Sequence, residues 1–234
     1  MRNFLIFTRG KDIRKISLDV EYYMDVVVPV GEVRNAIAID VDVLEGKMYW
    51  TDTVLDQISR AGLDGSNVEI ILEHGIHTAD GLAVDSVGRK IYWTDDGHNR
   101  IQNVFVLLLS FDTKVSNLDG SMRAVLIYKY MDKPRAIALH YDKGYMFWTD
   151  WGKHGRIERA DMDGGNRKVL VSEGIVWPNG LTVDLSMDRI IWADARTEVL
   201  RNGKFMTISH GSLLRFWAEM IKIPTTSLFS AFSL

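Results

Sequence analysis

The feature that most constrains the fold of this chain is a tetrapeptide centred on Trp and closed by Asp, which occurs in four near copies. The copies are Tyr49-Trp50-Thr51-Asp52, Tyr92-Trp93-Thr94-Asp95, Phe147-Trp148-Thr149-Asp150 and Ile191-Trp192-Ala193-Asp194. They begin 43, 55 and 44 residues apart. Self-similarity at a period of this size is the sequence signature of a repeat architecture.

Two further landmarks repeat together with the tetrapeptide. A short apolar element that ends on Asp or His precedes each copy, at residues 36–40, 81–85, 136–140 and 180–184. The last residue of this element lies seven positions before the tetrapeptide in the last three repeats and nine before it in the first. A Leu-Asp-Gly or Met-Asp-Gly turn follows the first three copies, at residues 63–65, 118–120 and 162–164. Three landmarks in a fixed order indicate one repeated structural unit.

Each unit is predicted to be a sheet of four short antiparallel strands. In the first full repeat the candidate strands are 36–39, 48–51, 57–61 and 68–72, with Gly, Asn and Asp in the turns between them. The first two runs are apolar at successive positions, which implies that both faces of the sheet are covered. Several such sheets of 43 or 44 residues predict an all-β fold, a β-propeller.

The tetrapeptide residues have structural roles in this prediction. A large ring near the strand centre fills the gap of about 10 Å between stacked sheets. The closing Asp is small and only accepts hydrogen bonds, so it suits backbone N–H groups where the strand leaves the sheet, and we favour this role over catalysis. The predicted structural residues are Tyr49, Trp50, Asp52, Tyr92, Trp93, Asp95, Phe147, Trp148, Asp150, Trp192 and Asp194.

The propeller is predicted to be incomplete, with about four to five of six four-stranded blades and an irregular C-terminal tail. Residues 1–34 correspond to a repeat that has lost its first strand, with strands expected near 4–7, 12–18 and 26–28. The repeat pattern fails beyond about residue 199. We therefore predict a partial propeller over 1–199 and a non-repeat tail over 200–234, and we expect a truncated or aberrantly predicted product.

An insertion over residues 103–114 interrupts the repeat, because its removal restores the spacing from 55 to 43 residues. The segment is apolar but too short to span a bilayer, which takes about 20 residues, so we expect no direct membrane insertion by this chain. One interpretation is a loop that touches a membrane or a partner. The favoured one is a splice variant or a misread intron boundary.

Composition excludes several classes of function. The net charge is -3 and no Lys/Arg block is present, which argues against nucleic acid as a partner. The chain has no Cys, so it has neither a disulfide nor a catalytic thiol. The N-terminus lacks a convincing signal peptide. His74, His77 and His98 lie in predicted loops rather than on one helix face, so we expect no metal site and no cofactor.

The repeat resembles the low-density lipoprotein receptor class B repeat, also called the YWTD repeat, whose family folds as six-bladed propellers. Within that family the chain is most similar to the second propeller of the Wnt co-receptors, low-density lipoprotein receptor-related proteins 5 and 6. The resemblance covers about residues 3–199 except the insertion, and it rests on residues 12–19, 35–40, 134–139, 148–152, 156–159 and 177–181.

The resemblance implies an extracellular module, on the outer side of the plasma membrane, that binds Wnt ligands or secreted antagonists without chemistry. The full-length parent would be membrane-anchored. The binding residues carried over by motif position are Asp80, Arg135, Trp151, Trp177 and Asn179, with Arg34 and His98 as further candidates on the same face. Large aromatic residues in loops on one face are typical interface anchors. Alternatively, the two loop indoles pack beneath the loops as a rim of the core.

Two other functions stay open. The chain can be the propeller of a different receptor of the same family, which binds lipoprotein or a matrix protein. It can also be a calcium-dependent propeller hydrolase, in which inward Asp, Asn and Glu side chains hold a cation on the axis. His140 departs from the Asp of its repeat position, but the repeated Asp residues are explained by the fold, so we predict no enzyme.

Overall fold

The computed structural model describes residues 4–19, 25–98, 110–196, 199–204 and 207–210, which form five antiparallel sheets. The first sheet has three strands, β1 (Phe4–Thr8), β2 (Ile13–Ser17) and β3 (Asp25–Val27), in that order. It therefore has the strands expected for a repeat without its first strand.

The other four sheets have four strands each, in chain order. The second sheet contains β4 (Ala36–Asp42), β5 (Lys47–Asp52), β6 (Gln57–Gly62) and β7 (Glu69–Leu72). The third contains β8 (Ala79–Asp85), β9 (Lys90–His98), β10 (Ser110–Asn117) and β11 (Ala124–Ile127). The fourth contains β12 (Pro134–His140), β13 (Tyr145–Asp150), β14 (Arg156–Asp161) and β15 (Lys168–Val171), with a short 3₁₀ helix (Tyr141–Lys143) between its first two strands. The fifth contains β16 (Pro178–Asp184), β17 (Arg189–Asp194), β18 (Val199–Lys204) and β19 (Thr207–His210).

The sheets stack face to face, and the core lies in the seams between them. In β5, Met48 and Trp50 pack toward the first sheet, whereas Tyr49 between them packs toward the third. This alternation explains why the run is apolar at every position: neither face of the strand meets water. We name two of the interfaces. Seam 2/3 contains Ala38, Tyr49, Ile58, Leu82, Ile91 and Trp93, and seam 4/5 contains Ala138, Phe147, Ile157, Leu181, Ile190 and Trp192.

Each motif Asp receives backbone amides from the loop that leads into its own sheet. Asp52 accepts the amides of Arg34 and Asn35 at 2.7 and 3.1 Å. Asp194 accepts those of Val176 and Trp177 at 2.7 and 3.3 Å. A buried carboxylate is costly unless hydrogen bonds compensate it, so each Asp fixes the loop whose amides it needs.

The last residue of the apolar element needs a correction in the first full repeat. Asp42 pairs with Lys47 in the same register in which Asp85 pairs with Lys90, so Asp42 and not Asp40 is the repeated residue. The offset of seven residues therefore holds in every repeat. The sequence pattern ended at the first Asp, whereas backbone pairing continues for two more residues. Asp40 is an additional carboxylate within a strand.

The predicted insertion lies partly inside the third sheet. Residues 110–114 belong to β10, and Thr113 pairs with Thr94 where Ile58 pairs with Thr51 in the second sheet. Residues 103–109 lie outside the described part of the chain. Pairing between strands uses only backbone groups, so the spacing of the repeat does not decide which end of an insertion supplies the strand.

The fifth sheet also extends past the predicted boundary at residue 199. β18 begins there and β19 continues to His210, although no Leu-Asp-Gly landmark joins them. A strand needs backbone partners and not that turn, so loss of the turn sequence did not end the sheet. The rest of the predicted tail, 211–234, lies outside the described residues.

Candidate functional site

Three of the predicted binding residues occupy one repeated position. Asp80, Arg135 and Asn179 each lie fifteen residues before the Asp of their tetrapeptide, and the matching residue of the second sheet is Ile37. Each directly follows the residue that begins the first strand of its sheet, and that beginning residue pairs with the motif Asp of the same sheet. They therefore lie at the end of the sheets where β4, β8, β12 and β16 begin. We call this end the upper face.

The two predicted loop indoles meet on the upper face across seam 4/5. Trp151 follows β13 and donates its amide to the carbonyl of Lys133 at 3.0 Å. Trp177 precedes β16 and is held by Asp194. Their rings are 6.0 Å apart between centroids and nearly edge to face. Trp177 is 39% exposed, whereas Trp151 is less exposed. The pair is thus partly a rim of the core and partly open to a partner.

Three cations lie against these two rings. The guanidinium of Arg135 is 4.1 Å from the centroid of the Trp151 ring, and the ammonium of Lys133 is 5.8 Å from it. The guanidinium of Arg196 is 5.0 Å from the centroid of the Trp177 ring. Cations at such distances are attracted by the ring faces. We call Arg135, Trp151, Trp177 and Arg196 the ladder.

An acidic group lies beside the Arg135 end of the ladder. The Asp80 side chain is 6% exposed, and its Oδ2 is 3.7 Å from Arg135 Nη1. Burial raises the pKa of Asp80, with Asp95 adding to the rise and Arg135 opposing it. Burial also raises the pKa of Asp96 to about 6, helped by Asp80 and Asp132. The carboxyl groups here are therefore crowded and incompletely compensated.

The remaining candidates are Arg34, Asn179 and His98. Arg34 is on the upper face of the second sheet, where its Nε donates to Glu32 at 2.7 Å. Asn179 is exposed beside Trp177. His98 is the last residue of β9, and its side chain lies outside the described part. Their roles stay predictions.

The sequence did not indicate Lys133, Arg196 or Asp96 as site residues. A signal was present, because Lys133 and Trp177 share one position, seventeen residues before their motif Asp. Likewise, Trp151 and Asp96 each directly follow a motif Asp. The positions seventeen residues before the repeated Asp and one residue after it therefore predict upper-face residues.

The described ranges contain no metal-binding cluster and no membrane-spanning helix. No group of three or more His, Cys, Asp or Glu residues there is arranged to hold a metal ion. His77 instead faces Asp56, with Nδ1 and Oδ2 3.2 Å apart. No helix of the described part has the length and apolar character needed to cross a membrane.

Stacked four-stranded sheets with a buried indole and a loop-holding Asp in each repeat define a β-propeller of the YWTD class. The profile of the low-density lipoprotein receptor repeat class B matches residues 46–86 and 144–185. The human low-density lipoprotein receptor-related protein 5-like protein is 38% identical over 155 residues, which are 66% of this chain and 57% of that protein. The chain thus spans less than two thirds of that relative. It carries class B repeats and resembles the lipoprotein receptor-related branch, as the sequence predicted.

Solved structures agree on the fold. The propeller in a nidogen–laminin complex superimposes with a TM-score of 0.78 and 26% identity, over 89% of this chain and 78% of that one. A gluconolactonase from Xanthomonas campestris gives a TM-score of 0.70 with 16% identity, over 89% of this chain and 72% of that one. The second likeness concerns the fold alone. The chain thus has the fold of a YWTD β-propeller, and its repeats resemble those of lipoprotein receptors.

Proposed function

We propose that this chain is the extracellular ligand-binding module of a Wnt co-receptor-like protein. It binds a secreted protein, a Wnt-type ligand or an antagonist, through the upper face. The observation that carries the proposal is the pair of loop indoles at seam 4/5, one of which is 39% exposed and bordered by cations. The similarity to a low-density lipoprotein receptor-related protein 5-like protein supports it.

The mechanism is burial of an aromatic anchor with charged groups around it. A partner side chain that covers Trp177 removes its exposed ring from water. The Trp151 ring packs against the Trp177 ring and holds it in place. Asp80, Arg135 and Asn179 share one repeat position on the upper face and fix the register of the partner. Anchors of this kind cost about 2 kcal/mol or more when truncated to Ala.

The test is a Trp151→Ala/Trp177→Ala double variant, measured by biolayer interferometry against a panel of purified Wnt-type ligands and secreted antagonists. We expect the wild-type chain to bind at least one of them and the double variant to bind about 30-fold more weakly. Val87→Ala is the matched control, because Val87 is exposed in the turn at the opposite end of the third sheet. Equal affinities of wild type and double variant, with unchanged thermal melts, would contradict the proposal.

A matrix protein is the second candidate partner, because the nidogen propeller is similar at 26% identity and its solved complex contains laminin. Laminin is therefore included in the same panel. Binding of laminin alone, lost in the double variant, would keep the upper face and replace the Wnt-type partner.

The proposed location is the extracellular side of the plasma membrane, within a membrane-anchored parent protein. Surface biotinylation of cells that express the full-length parent checks this. We expect the propeller epitope in the labelled fraction, and its absence from that fraction would contradict the location.

A further inference from the structure

We propose that the ladder is a subsite for an acidic and apolar peptide segment, in which two carboxylates flank an apolar side chain that covers Trp177. This inference rests on the proposed function, and it adds the chemistry of the partner. It is carried by the arrangement of cations around the two indoles.

The first argument is that two of the cations lack carboxylate partners. Most arginines of the fourth and fifth sheets have one: Arg156 binds Asp150 at 2.8 Å, and Arg189 binds Asp184 at 2.9 Å. Lys133 and Arg196, by contrast, make no ion pair with any described residue, and each lies against an indole ring. Both are exposed. Lys133 also acts on Asp96 from a longer distance, where its charge opposes the rise in the pKa of that carboxyl.

The second argument is geometric. A guanidinium that stacks on a ring face keeps its N–H edge free to bind a carboxylate in a two-pronged manner. Arg196 is such a guanidinium. Arg135 is already paired with Asp80, so the second carboxylate binds Lys133. Added through the two indoles, the three centroid distances place the Lys133 ammonium and the Arg196 guanidinium no more than about 17 Å apart. Carboxylates at positions i and i+4 of an extended peptide are about 13 Å apart. The apolar residue between them then lies over Trp177.

The third argument selects a peptide rather than a sulfated polysaccharide. Asp80, Asp96 and Asp132 crowd the Arg135 end of the ladder, and burial together with the other two carboxyls raises the pKa of Asp96. A continuous polyanion would meet these charges, whereas a segment with isolated carboxylates stops short of them. The chain also has a net charge of -3 and no basic run.

The experiment is a selection of random 12-residue peptides displayed on phage against the full chain, followed by affinity measurements on enriched peptides. We expect enrichment of two acidic residues three to five apart with an apolar residue between them. Arg196→Glu should weaken these peptides at least about tenfold, and Lys133→Glu should do the same. Lys168→Glu is the matched control, because Lys168 is an exposed cation on the outer strand β15.

The outcomes separate this inference from the proposed function. If the enriched peptides are neutral or basic and do not bind the Trp151→Ala/Trp177→Ala variant, the acidic chemistry is overturned and the upper face remains the binding site. Peptides that bind this variant as well as wild type would contradict the upper face itself. If fluorescent heparin binds wild type but not Arg196→Glu, and no acidic peptide is enriched, the choice of a peptide is overturned. A selection that enriches no peptide at all would overturn it as well.

Discussion

Seam 2/3 and seam 4/5 share one backbone arrangement but are fastened by different side chains. Seam 2/3 has polar contacts along its whole height, between Asp42 and Arg89 (2.6 Å), Asp40 and the Val84 amide (2.7 Å), Arg60 and the Leu118 carbonyl (3.0 Å), and Asp56 and the Thr78 amide (3.2 Å). In seam 4/5 the polar contacts gather at the lower turns, where Asp188 contacts His140 at 3.1 Å and Lys143 at 2.6 Å, and the upper end is the contact between Trp151 and Trp177. Identical backbones therefore carry different chemistry.

The lower turns show this difference most directly. Asp42 and His140 occupy the same repeat position, and so do their partners Arg89 and Asp188. In seam 2/3 the acid, Asp42, comes earlier in the chain than the base, Arg89. In seam 4/5 the base, His140, comes earlier than the acid, Asp188. The fold thus fixes where two charges meet across a seam but not the sign of either. The base is an arginine in one pair and a histidine in the other.

The largest expected effect on stability tests whether the buried tryptophans of the two seams contribute equally. Trp93→Ala and Trp192→Ala should each lower the free energy of unfolding by about 3–5 kcal/mol, because each empties a buried indole site. Urea titrations followed by circular dichroism measure both. Trp177→Ala is the control, since that ring lies on the rim and should cost less than about 1 kcal/mol. A cost below about 1 kcal/mol for Trp192→Ala would show that seam 4/5 is not a packed interface.

The second effect concerns the ion pair of seam 2/3. Arg89→Ala should cost about 2 kcal/mol, because it leaves the fully buried Asp42 without its guanidinium. The same urea titration measures it. Asp188→Ala in seam 4/5 is the comparison and should cost clearly less, since the Asp188 side chain is 52% exposed and its ion pairs are screened by water. Equal losses for the two variants would remove the distinction between the seams.

The third effect is a pH dependence located in seam 2/3. Burial raises the pKa of Asp40 to about 7, although the amides of Val84 and Val41 oppose the shift. The folded state therefore favours the protonated carboxyl, and the stability it contributes is complete below the unfolded pKa and lost as pH rises through about 7.

Asp40→Asn keeps an oxygen for the Val84 amide but cannot ionise. The variant should gain about 2 kcal/mol relative to wild type between about pH 5 and pH 8. Unfolding titrations at the two pH values measure this gain, and Asp163→Asn, in an exposed turn, is the control. A gain that does not change with pH would contradict the assignment.

The smallest effect belongs to the histidine pair of seam 4/5. A double-mutant cycle of His140→Ala and Asp188→Ala should give a coupling that is present at about pH 6 and is lost as pH falls below about 4, because the Asp188 carboxylate is then protonated. Hydrogen bonds from Lys143 and His140 lower the pKa of Asp188, so its contribution is present above its unfolded pKa and is lost as pH falls through the folded value.

Because Lys143 also binds Asp188, at 2.6 Å, the cycle is repeated in a Lys143→Met background. Melting temperatures of the four variants measure the coupling. A coupling of the same size at about pH 6 and about pH 3 in that background would show that the Asp188 carboxylate does not fasten the seam through His140.

The sequence predicted most of the architecture, because the repeat imposes the same pairing on every sheet. The copies of the tetrapeptide located the second strand of four sheets, and the strands expected in residues 1–34 appeared as β1 to β3. The predictions went wrong where backbone pairing continued without its sequence landmark. This happened beyond Asp40 in β4, within residues 110–114 of β10 and past residue 199 in β18 and β19.

The candidate site was less accessible to sequence. Asp80, Arg135 and Asn179 share a repeat position, so their common face followed from counting. The contact between Trp151 and Trp177 joins residues of different repeats, and the cations against their rings come from three separate loops or strands. Neighbours across a seam are set by how sheets stack, which periodicity does not specify.

By itself, the sequence determined that this chain forms stacked four-stranded sheets wedged by indoles and closed by aspartates. A pattern repeated every 43 or 44 residues has few ways to bury both faces of each sheet. Only the tertiary structure decided which charges meet across each seam and that two indoles with three cations form one surface. Those contacts depend on the side chains in which repeats differ, and the distances between them exist only after the sheets have packed.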